Sequence, residues 1–260
     1  MGNNEYSGNK EHGNIERYDN LTGLPNRVYF SELAAAGCCE MIKNGQKPVF
    51  LFLDLSGMKF YNQKHGFEKG DALLLAFSGL LVTFFDKENC SRFEQDHFVV
   101  YTEETHVEEK IHDLFDEWQR LNDSGSLSVR VGIYSPGDEE LDVSSACDCA
   151  KLACDTLRNT YVSAISYYDK SLQDDFDRHH YIITNIDKAI SEGWIKVYYQ
   201  PIVRAINGYV CDEEALARWI DPVNGFMSPG DFIPILEESK LIYKLDLFIV
   251  DEIIKNRLGK

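Results

Sequence analysis

The chain has 260 residues, of which 44% are hydrophobic and 27% charged, and its formal net charge is −17. The length predicts one or two domains, and the composition supplies a sizeable core with no low-complexity tract. The acidic balance excludes a global basic face for a nucleic-acid polymer, so an anionic nucleotide would need local donors and a metal ion. Residues 1–19 are polar throughout, so no signal peptide is expected. The longest apolar window, Leu73 to Phe85, is interrupted by Ser78 and Gly79. It is shorter than the roughly 20 residues that span a bilayer. A cytoplasmic protein with no membrane segment is the expectation. Seven cysteines occur with no C-x-x-C pair. They read as buried free thiols, with Cys147 and Cys149 on different faces of one helix.

In chain order, residues 1–16 lack an apolar period and are expected to form a mobile tail. Pro25 suits the first turn of a helix running to about Cys39. Asn44 to Pro48 is a turn. Val49 to Leu53 is an unbroken apolar run of β-formers, as in a strand buried on both faces, and it ends at Asp54. A loop carries Asn62, and Asp71 is placed as the N-cap or first-turn residue of a helix to Phe85. Cys90 to Tyr101 reads as two short strands about a tight turn near Glu94 to His97. His106 to Asn122 is a helix, with Val107, Ile111, Leu114, Phe115 and Trp118 at helical spacing. Leu127 to Tyr134 is a strand. Asp142 or Ser144 caps a helix reaching about Asn159, and Ile165 to Tyr168 is a further strand. Ser171 to Ile190 is a helical connector. After it come strands at Ile195 to Tyr199 and Tyr209 to Ala217, a helix after Ser228-Pro229-Gly230-Asp231, and another from Leu241 to Arg257.

Open α/β sheets bind ligands outside the carboxyl ends of their strands. Asp54 stands at such an end, with Asn62 and Asp71 close in sequence. The bland alternative is that Asp54 ends a strand, Asn62 turns and Asp71 caps.

Two motifs shift that balance. Asp19-Asn20-Leu21-Thr22-Gly23-Leu24-Pro25-Asn26-Arg27 matches D-x-L-T-G-L-x-N-R throughout. Asp54 to Gln63, then Gly66 to Asp71, is similar to D-x-D-x-F-K-x-x-N-D…G-H-x-x-G-D. Together they resemble the GGDEF domains, the diguanylate cyclases that join two GTP molecules into cyclic di-GMP. The resemblance implies an α/β (α+β) nucleotide-cyclase-like sheet flanked by helices over residues 17–170. It assigns Asp54 and Asp96 to a Mg²⁺ site and Asn62 and Asp71 to the guanine edge. Such phosphoryl transfer needs a cation held by carboxylates and by the phosphates themselves.

The signature hairpin departs from the family. Arg92-Phe93-Glu94-Gln95-Asp96-His97-Phe98 stands where R-x-G-G-D-E-F would be, so both glycines are replaced and Asp96 is a remnant. Ser56 replaces the second acid of D-x-D, and Arg130-Val131-Gly132 stands at the family's S-x-G strand. Asp155 aligns with a family Lys that faces phosphate, which reverses the charge. Phe85-Asp86-Lys87-Glu88 replaces the R-x-x-D of product inhibition. The domain resembles a degenerate GGDEF domain.

Past residues 171–190, residues 191–260 resemble the first part of an EAL domain, the cyclic di-GMP phosphodiesterase. The evidence is Tyr199-Gln200-Pro201-Ile202-Val203, then Glu214-Ala215-Leu216-Ala217-Arg218-Trp219, then Ser228-Pro229 through Glu237-Glu238, in family order. The resemblance assigns Gln200 and Arg218 to substrate and Glu214 to a metal. The bland alternative makes Glu214 and Arg218 a surface ion pair. A (β/α)₈ barrel takes about 250 residues, so an incomplete barrel fragment is expected. Three readings compete: a regulatory module that binds GTP or pairs with another domain, an active cyclase with an atypical hairpin, and a ligand-free unit that forms a homodimer.

Overall fold

The structure, a computed structural model, describes residues 17–122, 127–137 and 141–258. The expected tail, residues 1–16, lies outside the described residues. The chain forms two compact units, Met1–Leu172 and Gln173–Lys260.

The first unit is built on one five-stranded sheet of order β2-β3-β1-β4-β5. Its strands are β1 (Pro48–Ser56), β2 (Cys90–Glu94), β3 (His97–Glu103), β4 (Ser128–Tyr134) and β5 (Ala164–Tyr167). All pairings are antiparallel except β4 with β5. The apolar run of β1 makes it the central strand, and its alternate residues feed two cores. Val49, Leu51, Leu53 and Leu55 join one cluster with Phe77, Leu81, Ile111 and Trp118. Those partners come from helices α3 (Phe67–Phe85) and α4 (Val107–Leu121). Phe50 and Phe52 join the other, with Phe30 and Ala34 of α1 (Arg27–Lys43) and Ala146 and Ala150 of α5 (Val143–Asp155). Asp54 therefore opens on the α1–α5 side of the sheet.

Several expected boundaries move. Asn26, not Pro25, opens α1: its side chain caps the Tyr29 N–H at 3.0 Å. The expected loop after β1 holds a further helix, α2 (Met58–His65), so Asn62 is helical rather than in a turn. Glycines at positive φ, Gly57 at 98° and Gly66 at 88°, let the chain break on either side of it. Helix α3 then starts at Phe67, and Asp71 lies exposed in its second turn instead of capping it. Helix α5 ends at Asp155 and continues as tight turns, with Asp142 capping the Ser144 and Ser145 N–H groups.

One close approach fixes where α5 lies. A Cβ on Gly132 of β4 would come within 1.9 Å of the Ala150 carbonyl oxygen and 2.3 Å of the Cys154 nitrogen. Only the missing side chain lets α5 rest on β4 at this depth.

In the second unit, helix α6 (Lys170–Ser191), which begins at the boundary, supplies Ile182, Ile186 and Ala189 to its core. The sheet is β6 (Ile195–Val203), β7 (Val210–Asp221) and β8 (Gly225–Met227), all antiparallel in that order. Strand β6 runs on past Gln200 through Pro201, which an edge strand tolerates. Trp219 and Ala217 pack against helices α7 (Pro229–Glu238) and α8 (Ile242–Ile253). Buried Asp221 holds the β7–β8 turn: it accepts from the Tyr181 hydroxyl, the Trp219 indole and the Val223 and Asn224 N–H groups. Burial alone would raise its carboxyl, but these donors hold it below the usual carboxylate range.

None of the seven cysteines forms a disulfide among the described residues, and Cys147 is buried and Cys149 partly exposed. Among the described residues, no helix is long and apolar enough to cross a membrane.

Candidate functional site

Sheet register delivers the chemistry. On β1, Asp54 pairs across to His97 on β3 and to Arg130 on β4. The Leu55 N–H donates to the Asp96 carbonyl at 3.1 Å, which ties the hairpin turn to β1. One ligating atom from each of Asp54, Asp96 and His97 lies within 4.8 Å of the others. Burial raises the Asp96 carboxyl above its ordinary range, and the Asp54 charge adds to that.

The hairpin holds its shape without glycine. Gln95 sits at φ +36°, in the left-handed region that glycine favours. Arg92 compensates: its Nε and Nη2 donate to the Gln95 carbonyl at 2.8 and 2.6 Å. Its Nη1 reaches Asp19 Oδ1 at 3.2 Å. Asp19 also accepts from the Thr22 N–H and hydroxyl at 2.8 and 2.7 Å. Burial alone would raise the Asp19 carboxyl, but Thr22 and Arg92 hold it below the ordinary range. The nonapeptide at residues 19–27 is thus a turn clipped to the signature hairpin.

The carboxylates open into a cleft of about 710 Å³, within the range of small-molecule sites. Its lining includes Lys59 and Lys64 of α2, Arg130 of β4, and Lys151, Asp155 and Arg158 at the end of α5. Five cationic side chains face three carboxylates, Asp54, Asp96 and Asp155, in a chain whose net charge is −17. The charge reversal expected at Asp155 is offset locally. Arg158 pairs with Asp155 at 3.1 Å, and Lys151 lines the cleft one turn earlier. Residues 151, 155 and 158 fall on one helix face by spacing alone, so this was readable. Arg130 was readable as a departure from S-x-G, but its partner was not.

Asn62 and Asp71 do not line this cleft. The Asn62 Oδ1 is buried without a hydrogen-bond partner and lies where a Gly70 Cβ would be, 1.9 Å away.

In the second unit, Gln200 and Glu214 are direct cross-strand partners, and Arg218 follows Glu214 on the same face of β7. That face is opposite to the packed one, and Tyr198, Ile220 and Phe226 on it are exposed. The Arg218 guanidinium donates to the Ala217 carbonyl at 2.8 Å.

Residues 16–161 match the family described as "Diguanylate cyclase, GGDEF domain", and residues 183–260 match "EAL domain". The chain belongs to the GGDEF family, with an EAL domain following. It is 28% identical over 258 residues to MucR, a bifunctional diguanylate cyclase/cyclic di-GMP phosphodiesterase of Pseudomonas aeruginosa, covering 94% of this chain and 37% of MucR. It is 27% identical to NbdA, a cyclic di-GMP phosphodiesterase of the same organism, covering 91% of this chain and 31% of NbdA. The chain thus spans about a third of these relatives' length. Among solved structures, the Vibrio cholerae LapD S helix-GGDEF-EAL, bound to c-di-GMP, superposes with a TM-score of 0.54 at 16% identity, covering 94% of this chain and 59% of that one. The coiled coil and GGDEF domain of Caulobacter crescentus DgcB gives 0.52 at 16% identity, covering 60% and 88%. These two likenesses carry the α/β fold alone.

Domains of both families generally use divalent metal ions. Two carboxylates would ordinarily suffice for Mg²⁺ beside substrate phosphates. Here Asp54 Oδ2, the oxygen nearest His97, is engaged by Arg130 Nη2 at 2.5 Å, and the third corner is an imidazole. The residues present do not fit Mg²⁺, a hard cation that prefers oxygen ligands.

Proposed function

We propose that the first unit is a nucleotide-binding regulatory module that does not make cyclic di-GMP. It would serve a longer cyclic di-GMP signalling protein in which it controls the EAL phosphodiesterase. The observation that carries this is the hairpin turn. Glu94 and Gln95 replace both signature glycines and are exposed, and Glu94 adds a negative charge where a triphosphate would approach. Losing one well-placed donor from a transition-state site costs ~10²–10³ in rate, and several positions change here together.

The cationic excess of the cleft favours an anionic ligand over a ligand-free interaction unit. In this reading the cleft takes the phosphates of GTP, while Asn62 and Asp71 read the guanine, an amide beside a carboxylate that accepts from N1–H and N2–H₂. Gln200, Glu214 and Arg218 contribute to the phosphodiesterase site. Their shared face on β6 and β7 supports that role.

Two measurements test it. Incubation with GTP should give no cyclic di-GMP above a no-enzyme control; turnover that Asp96→Ala abolishes would overturn the inactive reading. A thermal-shift titration with GTP should raise stability by RT ln(1 + [L]/Kd). Equal shifts with ATP, or none with either nucleotide, would remove the guanine site.

A further inference from the structure

We propose that Arg130 is a resident cation in the place a divalent metal would take, so that the cleft binds its phosphorylated ligand without a metal. The ligand arm rests on the nucleotide-binding reading; the metal arm does not.

Register sets the pair. Asp54 and Arg130 are direct cross-strand partners on the central strand and its neighbour. Paired positions on one face meet wherever their side chains are long enough. The Arg130 Nη2 lies 2.5 Å from Asp54 Oδ2, and the two side chains are only 11% and 14% exposed. His97 Nε2 lies 4.0 Å from that same oxygen and 4.0 Å from Asp96 Oδ1. The Asp54 oxygen that faces His97, on the side where a cation shared with Asp96 and His97 would sit, is therefore already paired with a guanidinium. A divalent ion there would sit against a fixed positive charge in a mostly buried setting, where repulsion is weakly screened. The Gly132 contact closes α5 onto this strand, and the Cys154 thiol donates to the Arg130 carbonyl at 3.4 Å. The arginine backbone is thus held by α5, which packs on the same face of the sheet as the cleft.

A guanidinium is always charged and presents several donors in a plane. It neutralises Asp54 and keeps further N–H groups for a phosphate. The Arg130 Nε is buried and has no hydrogen-bond partner. Lys151 and Arg158 on the same wall of the cleft extend the cationic surface.

The test uses Mn²⁺ alone, followed by electron paramagnetic resonance on the intact chain. The wild type should show no bound Mn²⁺ that depends on Asp54. Arg130→Ser should gain one such site, removed again in Arg130→Ser/Asp54→Asn. Arg130→Lys, which keeps the charge, should stay without it. A wild-type Mn²⁺ site lost in Asp54→Asn would overturn the proposal. So would a folded Arg130→Ser that gains nothing. If Arg130→Ser fails to fold, the wild type, its Asp54→Asn comparison and Arg130→Lys still decide. In the second arm, GTP affinity of the wild type should change less than twofold on adding a chelator. Arg130→Ser should bind GTP at least tenfold more weakly with chelator and recover with Mn²⁺. A wild-type affinity that collapses with chelator refutes metal independence. An absence of GTP binding in every condition removes the nucleotide reading and leaves the Mn²⁺ comparison to judge Arg130.

Discussion

The clip between Asp19, Arg92 and the Gln95 carbonyl gives the sharpest stability prediction. Arg92→Met removes two charged hydrogen bonds to the Gln95 carbonyl and the contact with Asp19. Hydrogen bonds to charged groups contribute ~1.5–3 kcal/mol each before overlap. Because both bonds share one acceptor and Gln95 is exposed, the expected loss is ~2–3 kcal/mol in total. For a unit of this size, each kcal/mol moves the melting point by ~2–4 °C, so the first unit should melt roughly 5–10 °C lower. A double-mutant cycle with Asp19→Asn should give a coupling of ~1 kcal/mol, as suits a pair that is largely shielded but not fully buried. Amide exchange at Asp96 and His97 should accelerate, since the turn they border loses its brace. The clip should also weaken in acid. The Asp19 carboxyl is held below its ordinary range in the fold, so its contribution is present above the unfolded pKa and lost as pH falls through the folded one. Additive single mutants, with unchanged exchange in the hairpin, would refute the clip.

Gln95→Gly should stabilise the first unit by ~0.5–1 kcal/mol, because relief of a left-handed non-glycine residue exceeds the added chain entropy; a lower melting point would show that φ carries no strain there. Asp221→Asn should cost the second unit ~2–4 kcal/mol, since it leaves donors from Tyr181 and Trp219 poorly matched. In the wild type, that stabilisation should persist above the unfolded carboxylate pKa and disappear as pH falls through the lowered one, seen as an acid-side drop in melting point absent from Asp221→Asn. This chain should not hydrolyse cyclic di-GMP, because Glu214 is the one carboxylate among the motif-matched residues Gln200, Glu214 and Arg218; linear product lost on Glu214→Ala would defeat that expectation.

Much of the first unit was legible. The apolar run of β1, the hairpin, the stripe of α4 and the cap at Asp142 all follow from local pattern, and the structure keeps them. Helix α2 was not legible. It is short, rich in Lys, Asn and Gln, and bounded by two glycines that read as loop. That miss carried the error at Asp71, whose helix starts four residues sooner. The site divided the same way. Asp54 and Asp96 could be named from motif, and the lost glycines from their absence. The Asp54–Arg130 pair could not, because 76 residues separate the two and only antiparallel register joins them. His97 read as a loss of an acid, yet in three dimensions it faces both carboxylates.

Gly132 lies two residues along β4 from Arg130, on the same face of the sheet, and its missing side chain therefore bears on the cleft. A single added methyl there would be a wedge rather than a filling. It would have to push α5 outward by roughly 1.5 Å to recover ordinary contact with the Ala150 carbonyl. Helices move as rigid rods over such distances, so the displacement would travel along α5 and lift Lys151 and the turn bearing Arg158 away from Arg130 together. The spacing of charges at the mouth is thereby gauged by an atom that is missing from the seam between α5 and the sheet. Gly132→Ala becomes a lever on ligand affinity that touches no ligand, and the width of the cleft becomes a quantity that can be dialled from beneath α5.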